Sequence, residues 1–176
     1  MRTVVLGPRP AELDALIARR KALGLDTFDE VWEGEYHMAP AANVAHGQVD
    51  EEVTVLLRPL ARSAGLVGTG PFNLGRPDDF RVPDHGYHRG RPVGDFLPTA
   101  AIVVEILSPH DETWRKLDFY AAHHADELLI VSPKARTVTW LALRDGRYVE
   151  VDHSRLLGER SRDLADSIDW PEIPRG

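Results

Sequence analysis

Ala101-Ile102-Val103-Val104-Glu105-Ile106-Leu107 decides how this chain is read. Apart from Glu105 the run is apolar on both faces, the pattern of a central strand covered on both sides. A carboxylate inside it is expensive. Buried and ionised, it must be paired, hydrogen-bonded or metal-bound, or it gives up its charge. Ser108-Pro109 ends the run, and upstream stands Val82-Pro83-Asp84, where Pro83 marks an edge strand or a strand end. Two acids at or near strand ends are what a magnesium-dependent phosphodiesterase needs. Magnesium keeps several waters and takes only one or two carboxylates. Asp84 and Glu105, with the backbone carbonyl of Ile106 as a third oxygen, form the expected metal set. Lys116 is the expected cation near the attacking water or the phosphate, with Tyr120 four residues on to orient it.

Working outward, Ala11 to Leu23 reads as a helix between Pro10 and Gly24. Val31 to Met38 reads as a strand ended by Pro40. Asn43 to Ala64 carries an apolar stripe through Val49, Val53, Leu56, Leu57 and Leu60, a helix that Pro59 would kink or shorten. Leu66 to Leu74 and Phe80 to Pro83 read as short strand regions. His85 to Pro98, rich in Gly, Pro and Arg, reads as a loop. Asp111 to His124 is expected as a helix, its acids at the positive end and His123 and His124 at the negative end. Leu128 to Val131, Thr137 to Leu143 and Tyr148 to Val151 read as strands, with Asp145-Gly146 as a hairpin turn. From Arg155 the chain is charged, and either a last strand or a trailing tail fits. The sum is an α/β domain with a mixed central sheet flanked by helices.

With 176 residues, the chain is expected to form one domain, residues 1–176, that buries about 70% of its unfolded surface. It has no cysteine, which excludes disulfides, thiolate metal sites and a thiol nucleophile. Met1 to Arg9 does not read as a signal peptide, and no apolar run approaches the roughly 20 residues of a membrane span. A cytoplasmic location is expected. A net charge of −7 argues against a protein that coats nucleic acid, which would be basic. It leaves a nuclease open, because a bound divalent cation neutralises acids at its site.

Several residues admit a plainer role. Asp84 after a proline suits a turn. Glu105 could be paired with a buried arginine such as Arg81 or Arg115, and Lys116 could sit in a surface pair with Glu112. His46 could be a core or capping histidine. His85 and His88 bracket Asp84's loop, but zinc needs a third ligand. Arg76, Arg81, Arg89 and Arg91 are a phosphate-contacting loop or a solvated one balanced by Asp78, Asp79 and Asp84. The glycines between Gly65 and Gly75 lack the spacing and the Lys-Ser/Thr of a phosphate loop, and no serine stands in a Gly-x-Ser-x-Gly elbow.

Taken together, Trp32-Glu33-Gly34-Glu35-Tyr36 with Pro40 and His46, Pro83-Asp84, Val104-Glu105-Ile106-Leu107-Ser108-Pro109, Lys116 with Tyr120, and Ile130-Val131-Ser132-Pro133 form an ordered set. In their order and spacing the chain resembles the Uma-two (Uma2) group of restriction endonucleases, members of the PD-(D/E)XK nuclease superfamily. The resemblance spans residues 28–151, a nuclease-like core with an N-terminal helix and a C-terminal tail. It implies a restriction-endonuclease-like fold, Mg²⁺ or Mn²⁺ held by Asp84 and Glu105, and Glu35 as a further acid near the site. The superfamily's lysine two residues after the glutamate is replaced here by Leu107, and Lys116 matches the displaced lysine of the Uma-two group. The implied substrate is nucleic acid, DNA in the first place, cut by a homodimer or higher homo-oligomer. The alternative is a catalytically silent nuclease fold that serves as a nucleic-acid or protein binding module.

Overall fold

A computed structural model describes residues 10–39, 43–109 and 112–172. Met1 to Arg9, Pro40 and Asp111, all used in the sequence reading, lie outside the described residues. The apolar run forms β8, Ile102–Ile106, buried at every position. It lies inside a sheet ordered β11-β10-β9-β8-β6-β3, where β9 is Glu127–Ser132, β10 Thr137–Arg144, β11 Arg147–Val151, β6 His85–His88 and β3 Val67–Thr69. The β8–β9 pair is parallel and its other ladders are antiparallel, so the sheet is mixed.

Side chains of β8 alternate between two cores, as the period of a strand requires. Ile102, Val104 and Ile106 meet Val49, Val53 and Leu57 of helix α2, Val44–Ser63, and Leu164 of α4, Ser161–Ser167. Val103 faces the other way, with Leu128, Ile130 and Tyr120 of α3, Leu117–Ala122. Glu105, two residues after Val103, falls on this second side. The expected fold class holds: an α/β chain with a mixed sheet between helices.

A second sheet, ordered β2-β1-β5-β4-β7, was not anticipated. Its strands are β1 Glu30–Trp32, β2 Glu35–His37, β4 Asn73–Arg76, β5 Asp79–Arg81 and β7 Phe96–Leu97. The single strand expected from Val31 to Met38 is thus a hairpin. Glu33 and Gly34 turn it with φ of 50° and 87°, the left-handed pair that tight hairpins need and glycine supplies at little cost. The strand region Leu66 to Leu74 divides between the two sheets as β3 and β4.

Other expectations are corrected too. His85 to His88 is a buried strand, not part of a loop. Gly86 is required there because Phe72 lies over it, 2.3 Å from where a Cβ would stand. Composition suggested a loop; close packing explains the glycine. The helix expected from Asp111 is a 3₁₀ turn, Thr113–Arg115, followed by the short α3. Pro59 neither breaks nor shortens α2, which continues to Ser63. The C-terminal stretch is neither strand nor tail: α4 docks on β10 and places Leu164 and Ile168 in the core.

Candidate active site

β6 and β8 run antiparallel, and His85 pairs with Val104 at the end of their ladder. Asp84 stands at the next position, opposite Glu105. Its Oδ2 accepts the Ile106 N–H at 2.7 Å, which pins the carboxylate to the end of β8. An extended residue sends its N–H and C=O to the same edge, so the Ile106 carbonyl faces the Asp84 side. The other Asp84 oxygen lies 3.0 Å from His46 Nε2. That nitrogen must carry the proton that a carboxylate accepts, and Nδ1, 3.1 Å from Ser108 Oγ, accepts from the hydroxyl in the neutral ring.

His46 reaches Asp84 because α2 starts beside it. Asn43 caps the helix, accepting the His46 backbone N–H at 3.0 Å. His46, Asp50 and Thr54, spaced by four, lie along one side of α2; Asp50 and Thr54 both bond His85. His46, read from the sequence as a core or capping residue, therefore belongs to the acid cluster. His85 and His88 are buried strand residues.

Glu105 is 4% exposed. Its Oε1 is 3.0 Å from Lys116 Nζ and also accepts the Tyr120 hydroxyl. Its partner is thus the lysine, neither Arg81 nor Arg115. Lys116 precedes α3 instead of lying within a helix as expected, and it does not pair with Glu112, which bonds Arg115. Its second partner is Glu30 Oε1, at 2.9 Å. Glu30 in turn accepts the Val82 N–H at 2.8 Å and the Trp32 indole N–H at 2.6 Å. The structure thus brings together Asp84, Glu105, Ile106, Lys116 and Tyr120. Glu35 stands apart from them at the hairpin turn, one third exposed, 3.9 Å from His37. Glu30, a residue the sequence reading passed over, takes the place foreseen for Glu35. One sign could have found it: a glutamate two residues before a tryptophan, on the strand face that the indole shares.

Burial raises the Glu105 carboxyl to about 7; Lys116 opposes the rise, while Asp84 and Glu30 add to it. Burial alone would lower the Lys116 ammonium, but Glu105 and Glu30 outweigh it and hold the group well above its ordinary value. Tyr120 is pushed up by burial and then by Glu105, so it remains a neutral hydroxyl that donates. Among the described residues no three His, Asp or Glu side chains form a cage for a metal ion. Two carboxylates and a carbonyl nonetheless fit magnesium, which completes its shell with water and phosphate oxygens. Three acids against one lysine also leave negative charge for a cation to balance.

The Uma2 family profile, described as "Putative restriction endonuclease", matches residues 26–169. The chain belongs to this family. A solved structure of "a putative nuclease belonging to DUF820" from Anabaena variabilis superposes with a TM-score of 0.65, covering 80% of this chain and 90% of that one at 15% identity. That likeness establishes a shared fold, restriction-endonuclease-like as the resemblance implied. A relative from Oryza sativa subsp. japonica, named "Rubisco accumulation factor 1, chloroplastic", is 30% identical over 173 residues. The alignment covers 88% of this Uma2 chain and 34% of the rice protein. Among the described residues no helix is long and apolar enough to cross a membrane.

Proposed function

We propose that this Uma2 chain is a metal-dependent endodeoxyribonuclease. The observation that carries the reading is the juxtaposition of Asp84 and Glu105, with the Lys116 ammonium on the Glu105 carboxylate. Asp84, Glu105 and the Ile106 carbonyl would hold Mg²⁺ or Mn²⁺, which when bound acidifies a water and stabilises charge on the scissile phosphate. The protein's own groups do the rest. Lys116 presents a fixed positive charge to the phosphate or the water, Glu30 holds that lysine as its second partner beside Glu105, and Tyr120 fixes the Glu105 carboxyl. His46 steers Asp84 toward the same point. With a net charge of −7, attraction of DNA to this site would rest on the bound cation together with Lys116. Cutting both strands needs two such sites, so the proposal includes a homo-oligomer.

The test is cleavage of supercoiled plasmid in Mg²⁺ or Mn²⁺ by wild type and Asp84→Ala. Nicking and linearisation by wild type alone is the expected result. Equal cleavage by both proteins removes Asp84 from the chemistry, and a wild type inert in both metals overturns the nuclease reading.

A second reading has its own support. The rice relative is named as an accumulation factor, and Glu105 and Lys116 already satisfy one another inside the protein. On that reading the fold is an assembly or binding module. Calorimetric titration with Mn²⁺ separates the two: no divalent binding, with or without DNA, favours the module.

A further inference from the structure

Arg81 is buried, 5% exposed, and its contacts outside its own strand, with Val31, Trp32 and Phe119, lie within two residues of Glu30 or Tyr120. Its Nη1 donates to the Val31 carbonyl at 2.8 Å and to Asp79 Oδ1 at 2.9 Å. Its guanidinium carbon is 4.5 Å from the Trp32 ring and 4.0 Å from the Phe119 ring. Val31 follows Glu30, and Trp32 donates to Glu30. Val82, the neighbour of Arg81, donates to Glu30 as well. Phe119 precedes Tyr120 and lies three residues after Lys116. One flat cation therefore ties the hairpin that carries Glu30 to the helix whose start carries Lys116. Among the described residues its Nε has no hydrogen-bond partner. A buried N–H left unmet is costly, and a surface ion pair would avoid that cost.

We propose that Arg81 is a positioning residue: its guanidinium, in contact with Trp32 and Phe119, sets the spacing of the small sheet and α3 and so fixes where the Lys116 ammonium stands between Glu30 and Glu105. Its consequence for catalysis rests on the nuclease reading above; the geometric part does not. Lysine cannot replace arginine here, because an ammonium has no plane to lay against two rings while donating sideways to a carbonyl.

The chain has three lysines, Lys21, Lys116 and Lys134, so the ammonium nitrogens of ¹⁵N-labelled, metal-free protein are readily assigned. In wild type the shielded, doubly paired Lys116 ammonium exchanges slowly and gives its own signal. In Arg81→Met and Arg81→Lys that signal is lost, although melting stays cooperative. In plasmid cleavage both variants show kcat lower by about tenfold to a hundredfold, with KM within about twofold of wild type because Arg81 is out of reach of DNA. Folded Arg81→Met with a wild-type Lys116 signal overturns the proposal, as does a raised KM at unchanged kcat. If the Arg81 variants do not fold, Phe119→Leu, which keeps the guanidinium's hydrogen bonds, is judged by the same two readouts. A wild type that cuts nothing defeats the nuclease reading, while the ammonium signal still decides the role of Arg81.

Discussion

The β8–β9 pair of the large sheet and the β1–β2 hairpin of the small one are both buried in part, and by different chemistry. Around β8 and β9, Ile102, Val103, Val104, Leu128, Leu129 and Val131 are all fully buried within two apolar clusters. Among the described residues, the small sheet's own apolar cluster buries Ile17, Val31 and Tyr36, with Leu13, Met38 and Phe80 packed against them. There Glu30, Arg81 and Asp29 are buried as well, each held by a named partner: Lys116 for Glu30, the Val31 carbonyl for Nη1 of Arg81, whose Nε stays unmet, and Arg20 for Asp29. Apolar burial is non-directional and tolerates small shifts, whereas buried charge demands its partner at the right place. The large sheet supplies most of the apolar core and also carries Asp84, Glu105 and Ile106 of the site, while the small sheet adds Glu30 and Arg81, the buried charge around Lys116.

The sharpest way to break that contrast is Lys116→Met. It leaves Glu30 and Glu105 buried without a cation, and unfolding by denaturant at pH 7 should show a loss of about 3–5 kcal/mol. A loss no larger than that of a surface pair would mean that solvent already screens the cluster. Next comes Leu128→Ala in the large sheet, expected to cost about 2–5 kcal/mol. Cleavage per folded molecule should stay near the wild-type level, since Leu128 packs in the apolar cluster beneath Tyr120 and carries none of the site's polar groups; lower kcat at full folding would mean that this apolar core also positions the site.

Acidity sharpens the comparison further. In the metal-free protein the folded-state value of Glu105, about 7, lies above its unfolded value of about 4.5. Its contribution to stability is therefore fully present below the unfolded value and is lost as pH rises toward 7. His85, raised above 6.5 in spite of its burial by its bond to Asp50, contributes with the same sign: its stabilisation is present below 6.5 and is lost as pH climbs through the folded value. Glu105→Gln should flatten the fall in stability between pH 5 and 7 without abolishing it, and an unchanged slope in denaturant melts would contradict the burial of this carboxyl. The smallest effect expected is Asn43→Ala, which removes the cap of α2. It should cost about 1 kcal/mol and, by loosening the turn that carries His46, lower cleavage modestly.

How much could be read in advance follows the same division. Glu105 was conspicuous because a charge interrupts an apolar run, and Asp84 because it follows Pro83 at a strand end. Lys116 and Tyr120 were visible through their resemblance to a family pattern. Glu30 escaped notice because Asp29-Glu30 look like solvent acids beside a short strand, and the lysine that justifies its burial lies far along the chain. The strand His85–His88 was missed because glycine and histidine resemble loop composition until Phe72 is seen packed over Gly86.

The order of residues alone settled that a central strand would enclose a carboxylate, and that this carboxylate must be paired, hydrogen-bonded, metal-bound or neutral, since periodicity and the cost of burying charge are local properties. Which cation meets it, and that Glu30 shares that cation, was decided only when sheet register and the docking of α3 brought distant segments together. Partner choice depends on distances of a few ångströms across the fold, and spacing along a chain does not encode them.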